Sequence, residues 1–354
     1  NAKLKLCINR LKIILDNKLL KENEFIKDLL NEGLEIINKD KPKNYLAIYD
    51  RLDLEIITFD RDGKFHNGTT SASEIEADYL WFSQHLSSEG LLPMGFQVAL
   101  DMKQLDVLQT FNAGLDAPAY NQIAAKGVRI CNSSAQGIAI AEYTMAQVLS
   151  LTHPIQLQQD QQAERVWKIT PFRELSRMKW LIFGYGPIGS AVAERAKAFG
   201  SHISVIRRSP QKDAFIDRAG SKDDAISFAS EADIILLACS LNDQTRGMIN
   251  QDFLNAVKPG AILVNIARGG VIEDAALLQA LDKGIISTAV LDVFHTEPLP
   301  KEDPFWSHPN VRLTPHTSFG GDGVRPRWDT LFLENIQRYA NGESLEREVN
   351  PADL

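Results

Sequence analysis

Cysteine is nearly absent from this sequence. Cys7, Cys131 and Cys239 are the whole supply in 354 residues, and no two stand close together. That excludes a disulfide framework and the paired-cysteine spacing of a zinc site. No metal site is expected, and a reducing compartment, the cytoplasm, is the simple expectation. No stretch approaches the roughly 20 apolar residues that a membrane-spanning helix needs. A secretion signal is not expected either, because Asp16, Asn17 and Lys18 interrupt the apolar run over 11–20. A surplus of positive charge is missing too. The formal net charge is −8, which argues against nucleic acid as a partner and leaves any anionic ligand to be drawn by local groups. Internal repeats and low-complexity tracts are also lacking. What remains is ordinary globular composition, 44% apolar and 24% charged, in a chain long enough for two full cores.

The first 44 residues are rich in Lys, Asn, Ile and Leu, and differ from the Ala- and Gly-richer remainder. One reading is a strand over 12–15, a helix over 19–31 closed near Gly33, and a strand over 34–37. The other is an appended helical segment, with the domain starting at 46–49. Residues 60–73 are polar and turn-rich and read as a loop or hairpin. Short apolar strands follow over 79–82 and 105–111, the latter running into the turn Asn112-Ala-Gly-Leu-Asp116. A long helical pattern covers 137–151. From Met178 the alternation becomes regular, with strands over 180–183, 202–206, 233–238, 262–266, 288–291 and 311–313. That rhythm predicts an α/β fold with a doubly wound parallel sheet. A final helix is expected from Thr330 to about Tyr339.

The fingerprint Gly184-Tyr-Gly-Pro-Ile-Gly189 follows a strand and opens a helix, the setting that gives three glycines meaning. The first permits the tight turn, the second lets backbone approach a pyrophosphate, and the third lets helix and strand pack closely. Tyr185, Pro187 and Ile188 complete the turn, whose helix N-terminus offers free N–H groups to a diphosphate. Where the next strand ends, an NAD site usually has Asp or Glu for the ribose 2′-hydroxyl. Here Arg207, Arg208 and Ser209 stand instead, which suits a 2′-phosphate. A charged hydrogen bond is worth roughly 1.5–3 kcal/mol, so one good contact would favour NADP over NAD by about tenfold or more. The plainer explanation is that these arginines are solvated surface charges.

Three ionisable side chains fall at or beyond strand ends in the C-terminal third: Arg268, Glu297 and His316. Reduction of a 2-keto acid needs its carboxylate held, its carbonyl polarised and a proton delivered to the nascent alkoxide. The fork of Arg268 suits the first two tasks. His316 suits the third, because histidine titrates near neutral pH. Glu297 would hold the imidazole and favour its protonated form. Taken singly, each has a plainer explanation: a surface ion pair, a loop charge, a capped turn. Jointly they occupy the sheet end where such folds bind ligands. His295 and His308 rank lower, since neither lies directly beyond a strand.

On these residues the chain resembles the D-isomer-specific 2-hydroxyacid dehydrogenases, which include glyoxylate/hydroxypyruvate reductases. The resemblance runs over about 77–350 and is strongest over 180–316. It rests on the glycine fingerprint, Leu236-Leu-Ala-Cys-Ser-Leu-Asn-Asp-Gln-Thr-Arg-Gly247, Asn265-Ile-Ala-Arg-Gly269, Leu291-Asp-Val-Phe-His-Thr-Glu-Pro298 and Thr314-Pro-His316. The resemblance implies that Arg268, Glu297 and His316 are the catalytic set. It also implies that Asp292 binds the nicotinamide carboxamide, that Cys239 and Ser240 line the adenosine side, and that Ala267 meets the nicotinamide ribose. Substrate binding would fall to Phe82, Ser83, Ala113 and Gly114, together with Arg268 and His316. Two Rossmann-like domains are implied: a discontinuous flavodoxin-like substrate domain, 1–131 completed by 328–354, and a cofactor domain over 132–327. A homodimer through about 135–168 is implied as well. Ala113 departs from the Val that often precedes the loop glycine, and the first 76 residues match poorly.

The expected partner is therefore a small 2-keto or 2-hydroxy acid, with glyoxylate or hydroxypyruvate first, and NADP ahead of NAD. Trp81, Phe82 and Phe111 flank the substrate loops and favour a small uncharged substituent. Along the sequence no cation stands beside Ser83 or Gly114 beyond His85, which weighs against a phosphonate or phosphite substrate. The alternative is a dinucleotide-sensing, corepressor-like binding protein of the same fold.

Overall fold

The computed structural model describes residues 11–16, 54–59, 65, 71–88 and 90–351. The helix expected over 19–31 with Gly33 at its end, the strand over 34–37, the alternative start at 46–49 and most of the loop over 60–73 lie outside the described residues. The chain divides into two compact units, 1–135 with 325–354, and 136–324. These boundaries differ by a few residues from the breaks expected after 131 and 327. Residues 132–135 are held to the first unit: Asn132 N–H donates to the Arg347 carbonyl (3.1 Å) and Ser133 N–H to the Asn112 carbonyl (2.8 Å). The Arg327 guanidinium donates to the Ala135 carbonyl (2.8 Å).

The first unit is a five-stranded parallel sheet built from β1 (Leu11–Asp16), β2 (Leu54–Phe59), β3 (Glu76–Phe82), β4 (Gln104–Thr110) and β5 (Arg129–Cys131), in the order β2-β1-β3-β4-β5. That is the flavodoxin-like order. Four consecutive residues of β3, Tyr79 to Phe82, are buried, as expected of a parallel strand covered on both faces. Three helices follow the later strands: α1 (Gln84–Ser88), α2 (Leu92–Asp101) and α3 (Pro118–Ala125).

The C-terminal segment completes this unit through the last helix, α10 (Val324–Ala340). The Phe332 ring stacks on Trp81, with centroids 3.8 Å apart. Buried Asn335 donates to Gln109 Oε1 (3.2 Å) and accepts the Glu346 N–H (2.7 Å). Arg129 forks onto the Glu348 carboxylate at 2.9 and 2.7 Å. α10 starts six residues before the expected Thr330. Pro326 lies in its first turn, where a missing N–H costs no intrahelical bond.

The second unit opens with α4 (Gly137–Thr152) and α5 (Ile155–Ala163). Its sheet contains β6 (Lys179–Phe183), β7 (His202–Ile206), β8 (Arg218–Gly220), β9 (Ile234–Leu237), β10 (Ala261–Asn265), β11 (Ile286–Leu291) and β12 (Val311–Leu313). All pairs are parallel, in the order β12-β11-β10-β9-β6-β7-β8. The direction of winding reverses between β6 and β9, the place where doubly wound sheets bind nucleotides. The helices α6 (Pro187–Ala198), α7 (Ala225–Ala229), α8 (Gln251–Ala256) and α9 (Asp274–Asp282) complete the layers. The strand period of two sorts the apolar residues between the faces. Leu181, Phe183, Ile235, Leu237, Leu263 and Leu291 join one core, while Trp180, Ile182, Ile234, Leu236, Val264 and Val290 join the other.

Candidate active site

The glycine turn sits where β6 hands over to α6. Gly184 has φ +89°, and an added Cβ would lie 2.7 Å from the Ala238 carbonyl oxygen. A Cβ on Gly189 would lie 2.2 Å from the Gly184 oxygen. The first and third glycines are therefore steric requirements of the strand–helix packing. Around Gly186 a Cβ would meet nothing within 4 Å, so its face is open for backbone to approach a ligand. No side chain caps α6, and Pro187 occupies its first turn. An uncapped helix N-terminus behind a bare glycine fits a dinucleotide diphosphate.

At the end of β7, Arg207 lies over the Tyr185 ring, 5.4 Å from its centroid. Arg208 and Ser209 are exposed beside it. Beyond β9, burial pushes the Cys239 thiol up to about 11, so it stays a neutral group. Ser240 is exposed, and its carbonyl accepts the Thr245 hydroxyl at 2.7 Å. Ala267 is buried directly beyond β10.

The three ionisable residues are set by the ends of β10, β11 and β12. Asn265 closes β10 as a buried clamp. Its Oδ1 accepts the Ala267 N–H (3.0 Å), and its amide donates to the Arg268 carbonyl (3.1 Å). Arg268 Nη1 donates to the Ala267 carbonyl (2.8 Å), which orients the half-exposed guanidinium. Behind it, a Cβ on Gly269 would lie 2.0 Å from the Phe294 carbonyl carbon. Only glycine allows the arginine loop to lie against the loop that follows β11.

That second loop carries Glu297. One carboxylate oxygen accepts the Phe294 N–H (2.9 Å), and the other meets His316 Nδ1 at 2.7 Å. Burial alone would raise the Glu297 pKa. The His316 hydrogen bond, the Phe294 N–H and the charges of His316 and Arg268 outweigh it and hold the group below the usual carboxylate range. Glu297 is thus an anion that accepts from Nδ1, which leaves Nε2 as the atom able to exchange a proton. Nε2 has no partner among the described residues.

His316 itself stands at φ +48°, a left-handed conformation that costs a histidine energy and that its surroundings must enforce. Asp292 is the enforcing group. Its side chain is fully buried and accepts Thr317 N–H (2.9 Å), Ser318 N–H (3.1 Å) and the Thr314 hydroxyl (2.5 Å). Tyr143 on α4 reaches Thr314 Oγ1 at 2.7 Å. The Asp292 carboxylate, expected at a nicotinamide carboxamide, thus lies under the histidine turn with donors on both oxygens. His295 and His308 are engaged elsewhere, at the Ile272 carbonyl (2.9 Å) and at the Asn310 N–H (3.1 Å).

The substrate residues expected in the first unit fall into two sets. The Phe82 side chain is fully buried in the core, edge-on to Phe96. Ser83, 3% exposed, instead lines a small open pocket with Trp81, Gln84, Phe111, Arg325, Trp328 and Asp329. Ala113 and Gly114 are half-buried in a pinned loop, with Asn132 donating to the Ala113 carbonyl (2.8 Å) and Asn112 donating to the Tyr120 hydroxyl (2.9 Å). Arg325 corrects the sequence reading: a cation does stand beside Ser83, brought there by α10 from far along the chain. Nothing local in sequence could have announced it. The clamp role of Asn265 likewise has no signal in the sequence, although the residue opens the motif Asn265-Ile-Ala-Arg-Gly269. No cluster of three His, Cys, Asp or Glu among the described residues is arranged to hold a metal ion. No helix among them is long and apolar enough to cross a membrane.

The family model described as "D-isomer specific 2-hydroxyacid dehydrogenase, NAD binding domain" matches residues 145–318. A hydroxyphenylpyruvate reductase of Plectranthus scutellarioides is 32% identical over 249 residues, which cover 69% of this chain and 78% of that protein. A glyoxylate/hydroxypyruvate reductase A of Serratia proteamaculans (strain 568) is 32% identical over 211 residues, covering 58% and 67%. In fold, the chain is similar to the crystal structure of a D-isomer specific 2-hydroxyacid dehydrogenase from Xanthobacter autotrophicus Py2 in complex with NADPH and MES. The TM-score is 0.71 at 22% identity, covering 97% of this chain and 99% of that one.

Proposed function

The chain belongs to the D-isomer specific 2-hydroxyacid dehydrogenase family, and from that premise we propose that it reduces a small 2-keto acid, with glyoxylate and hydroxypyruvate first and NADPH ahead of NADH. As a member it is an oxidoreductase of 2-hydroxy and 2-keto acids that uses a nicotinamide dinucleotide. The observation that carries the catalytic part of this reading is the 2.7 Å contact between Glu297 and His316, one loop away from Arg268.

When bound, the reduced nicotinamide supplies the hydride. Gly184, Gly186, Gly189 and the start of α6 hold the diphosphate, with Tyr185, Pro187 and Ile188 shaping the turn. Arg207, Arg208 and Ser209 take the 2′-phosphate. Cys239 and Ser240 line the adenosine side, and Ala267 meets the nicotinamide ribose. Arg268 pairs with the substrate carboxylate and polarises the adjacent carbonyl. His316 gives a proton from Nε2 to the forming alkoxide, and takes it back in the oxidative direction. Glu297 fixes the imidazole through Nδ1. We assign Asp292 to holding the His316 turn. Ser83, Ala113 and Gly114, with the Phe82 backbone, are the substrate residues proposed for the first unit.

The reading includes a homodimer, supported by the exposed apolar strip Ile155, Leu157, Val166, Trp167, Ile169 and Phe172. It also includes a cytoplasmic location, supported by the sparse cysteines, of which the described Cys131 and Cys239 are free.

The test is NADPH and NADH oxidation with glyoxylate, hydroxypyruvate, pyruvate and 2-oxoglutarate. The last belongs in the panel because Arg325 lines the Ser83 pocket of the first unit. Turnover led by glyoxylate or hydroxypyruvate with NADPH is the expected result. A clean preference for 2-oxoglutarate would overturn the substrate class. Tight dinucleotide binding without turnover would move the chain to the sensor reading.

A further inference from the structure

Tyr185 stands between the first two glycines of the turn and touches two charged groups. Its ring face carries Arg207, whose guanidinium carbon is 5.4 Å from the centroid. Its hydroxyl donates to Asp213 Oδ1 at 2.9 Å. The same oxygen accepts the Phe215 N–H at 2.9 Å. Burial and the neighbouring Asp213 carboxylate both push the Tyr185 pKa up, so the phenol keeps its proton and remains the donor. No ion pair joins Arg207 to Asp213.

That last point matters because an arginine near an exposed carboxylate readily pairs with it. Such a pair would occupy the fork that a 2′-phosphate needs and set a negative charge beside the phosphate. Here the carboxylate is held by the Tyr185 hydroxyl and the Phe215 N–H, while the guanidinium rests on the face of the same ring. We propose that Tyr185 is a positioning residue for recognition of the adenosine 2′-phosphate: its ring presents Arg207, and its hydroxyl keeps Asp213 from quenching it. The proposal rests on the NADP reading of Arg207, Arg208 and Ser209.

The experiment is calorimetric titration of the full chain with 2′,5′-ADP and with 5′-AMP, so that the ratio of the two Kd values reports the 2′-phosphate alone. Tyr185→Ala should lower the discrimination roughly fivefold, the size of an exposed cation–π contact. Tyr185→Phe keeps the ring but releases Asp213, and should lower it by a smaller factor. Adding Asp213→Asn to Tyr185→Phe should restore it. Damage to the turn would weaken both nucleotides alike, and Asp213→Asn would not rescue it. An unmoved ratio in Tyr185→Ala and Tyr185→Phe, with the wild type favouring 2′,5′-ADP, would overturn this inference alone. A wild-type ratio near one would overturn it together with the NADP reading.

Discussion

Asp292 holds the backbone on which His316 stands. Its carboxylate takes the peptide N–H groups of Thr317 and Ser318, and its carbonyl accepts the His316 N–H at 2.9 Å. Replacing it by Asn sets an amide N–H₂ against a backbone donor in a fully buried place. A loss of about 1–3 kcal/mol in stability is expected, with kcat falling as the histidine relaxes. The Kd for NADPH separates the two roles. A change below about twofold, alongside reduced kcat, supports the turn-holding role. A Kd rise as large as the kcat loss would return Asp292 to the carboxamide.

His316→Ala should lower kcat by about 10²–10⁴, far more than it raises KM for the keto acid. Near-normal turnover would remove His316 from the chemistry.

Arg268→Ala should damage both kcat and KM, since the clamp acts on substrate and transition state alike. Arg268→Lys should recover little, because an ammonium cannot reproduce the planar fork. Steady-state kinetics on the three proteins decides it, and full recovery by Lys would mean that charge alone suffices.

Removing both guanidinium groups in Arg207→Ala/Arg208→Ala should cut the NADPH-over-NADH ratio of kcat/KM by about tenfold or more. An unchanged ratio would make these arginines solvated surface charges.

Asp233 offers a pH-linked stability test. It is 3% exposed and accepts from Arg173 (2.7 Å), the Lys179 N–H (2.9 Å) and Lys258. Burial would raise its pKa, but the Lys258, Lys179 and Arg173 hydrogen bonds win and lower it. A folded pKa below the unfolded one contributes stability that is present above about pH 3.9 and lost as pH falls through the folded value. Asp233→Asn should cost about 1–3 kcal/mol at neutral pH and show a shallower fall in Tm below about pH 4. Matching Tm curves for wild type and variant would refute this.

Trp167 is 102% exposed, amid a strip that includes Ile169 at 88%. Light scattering should find a dimer, and Trp167→Asp with Ile169→Asp a monomer. A monomeric wild type would end the homodimer reading.

The sequence was most legible where pattern and chemistry coincide. His202–Ile206 and Val311–Leu313 were read to the residue, because apolar runs bounded by turn signals leave little choice. Arg268, Glu297 and His316 were readable as strand-end residues, with Glu297 expected to hold the imidazole, and the structure sets the last two 2.7 Å apart. β5 and β8 have three residues each, too short to show a period, and unlike the equally short Val311–Leu313 neither runs into a motif such as Thr314-Pro-His316 that marks its end. β2, six residues of Leu-Glu-Ile-Ile-Thr-Phe, does carry a β-branched, strand-like pattern, beyond the strands expected above. The burial of Asp292 depends on which backbone donors converge around it, and the arrival of Arg325 beside Ser83 on a helix from the other end of the chain. Both are tertiary facts with no local signature.

The backbone contact at Gly269 has a mechanical meaning. With no room for even a methyl group between Gly269 and Phe294, the loops bearing Arg268 and Glu297 lie backbone against backbone, and the Glu297 carboxylate ties the imidazole to them. If Arg268 and His316 act as proposed, this contact sets the spacing between anion clamp and proton donor. In that mechanism the charges that meet the transition state would be oriented before it forms, leaving little reorganisation for the reaction step to drive.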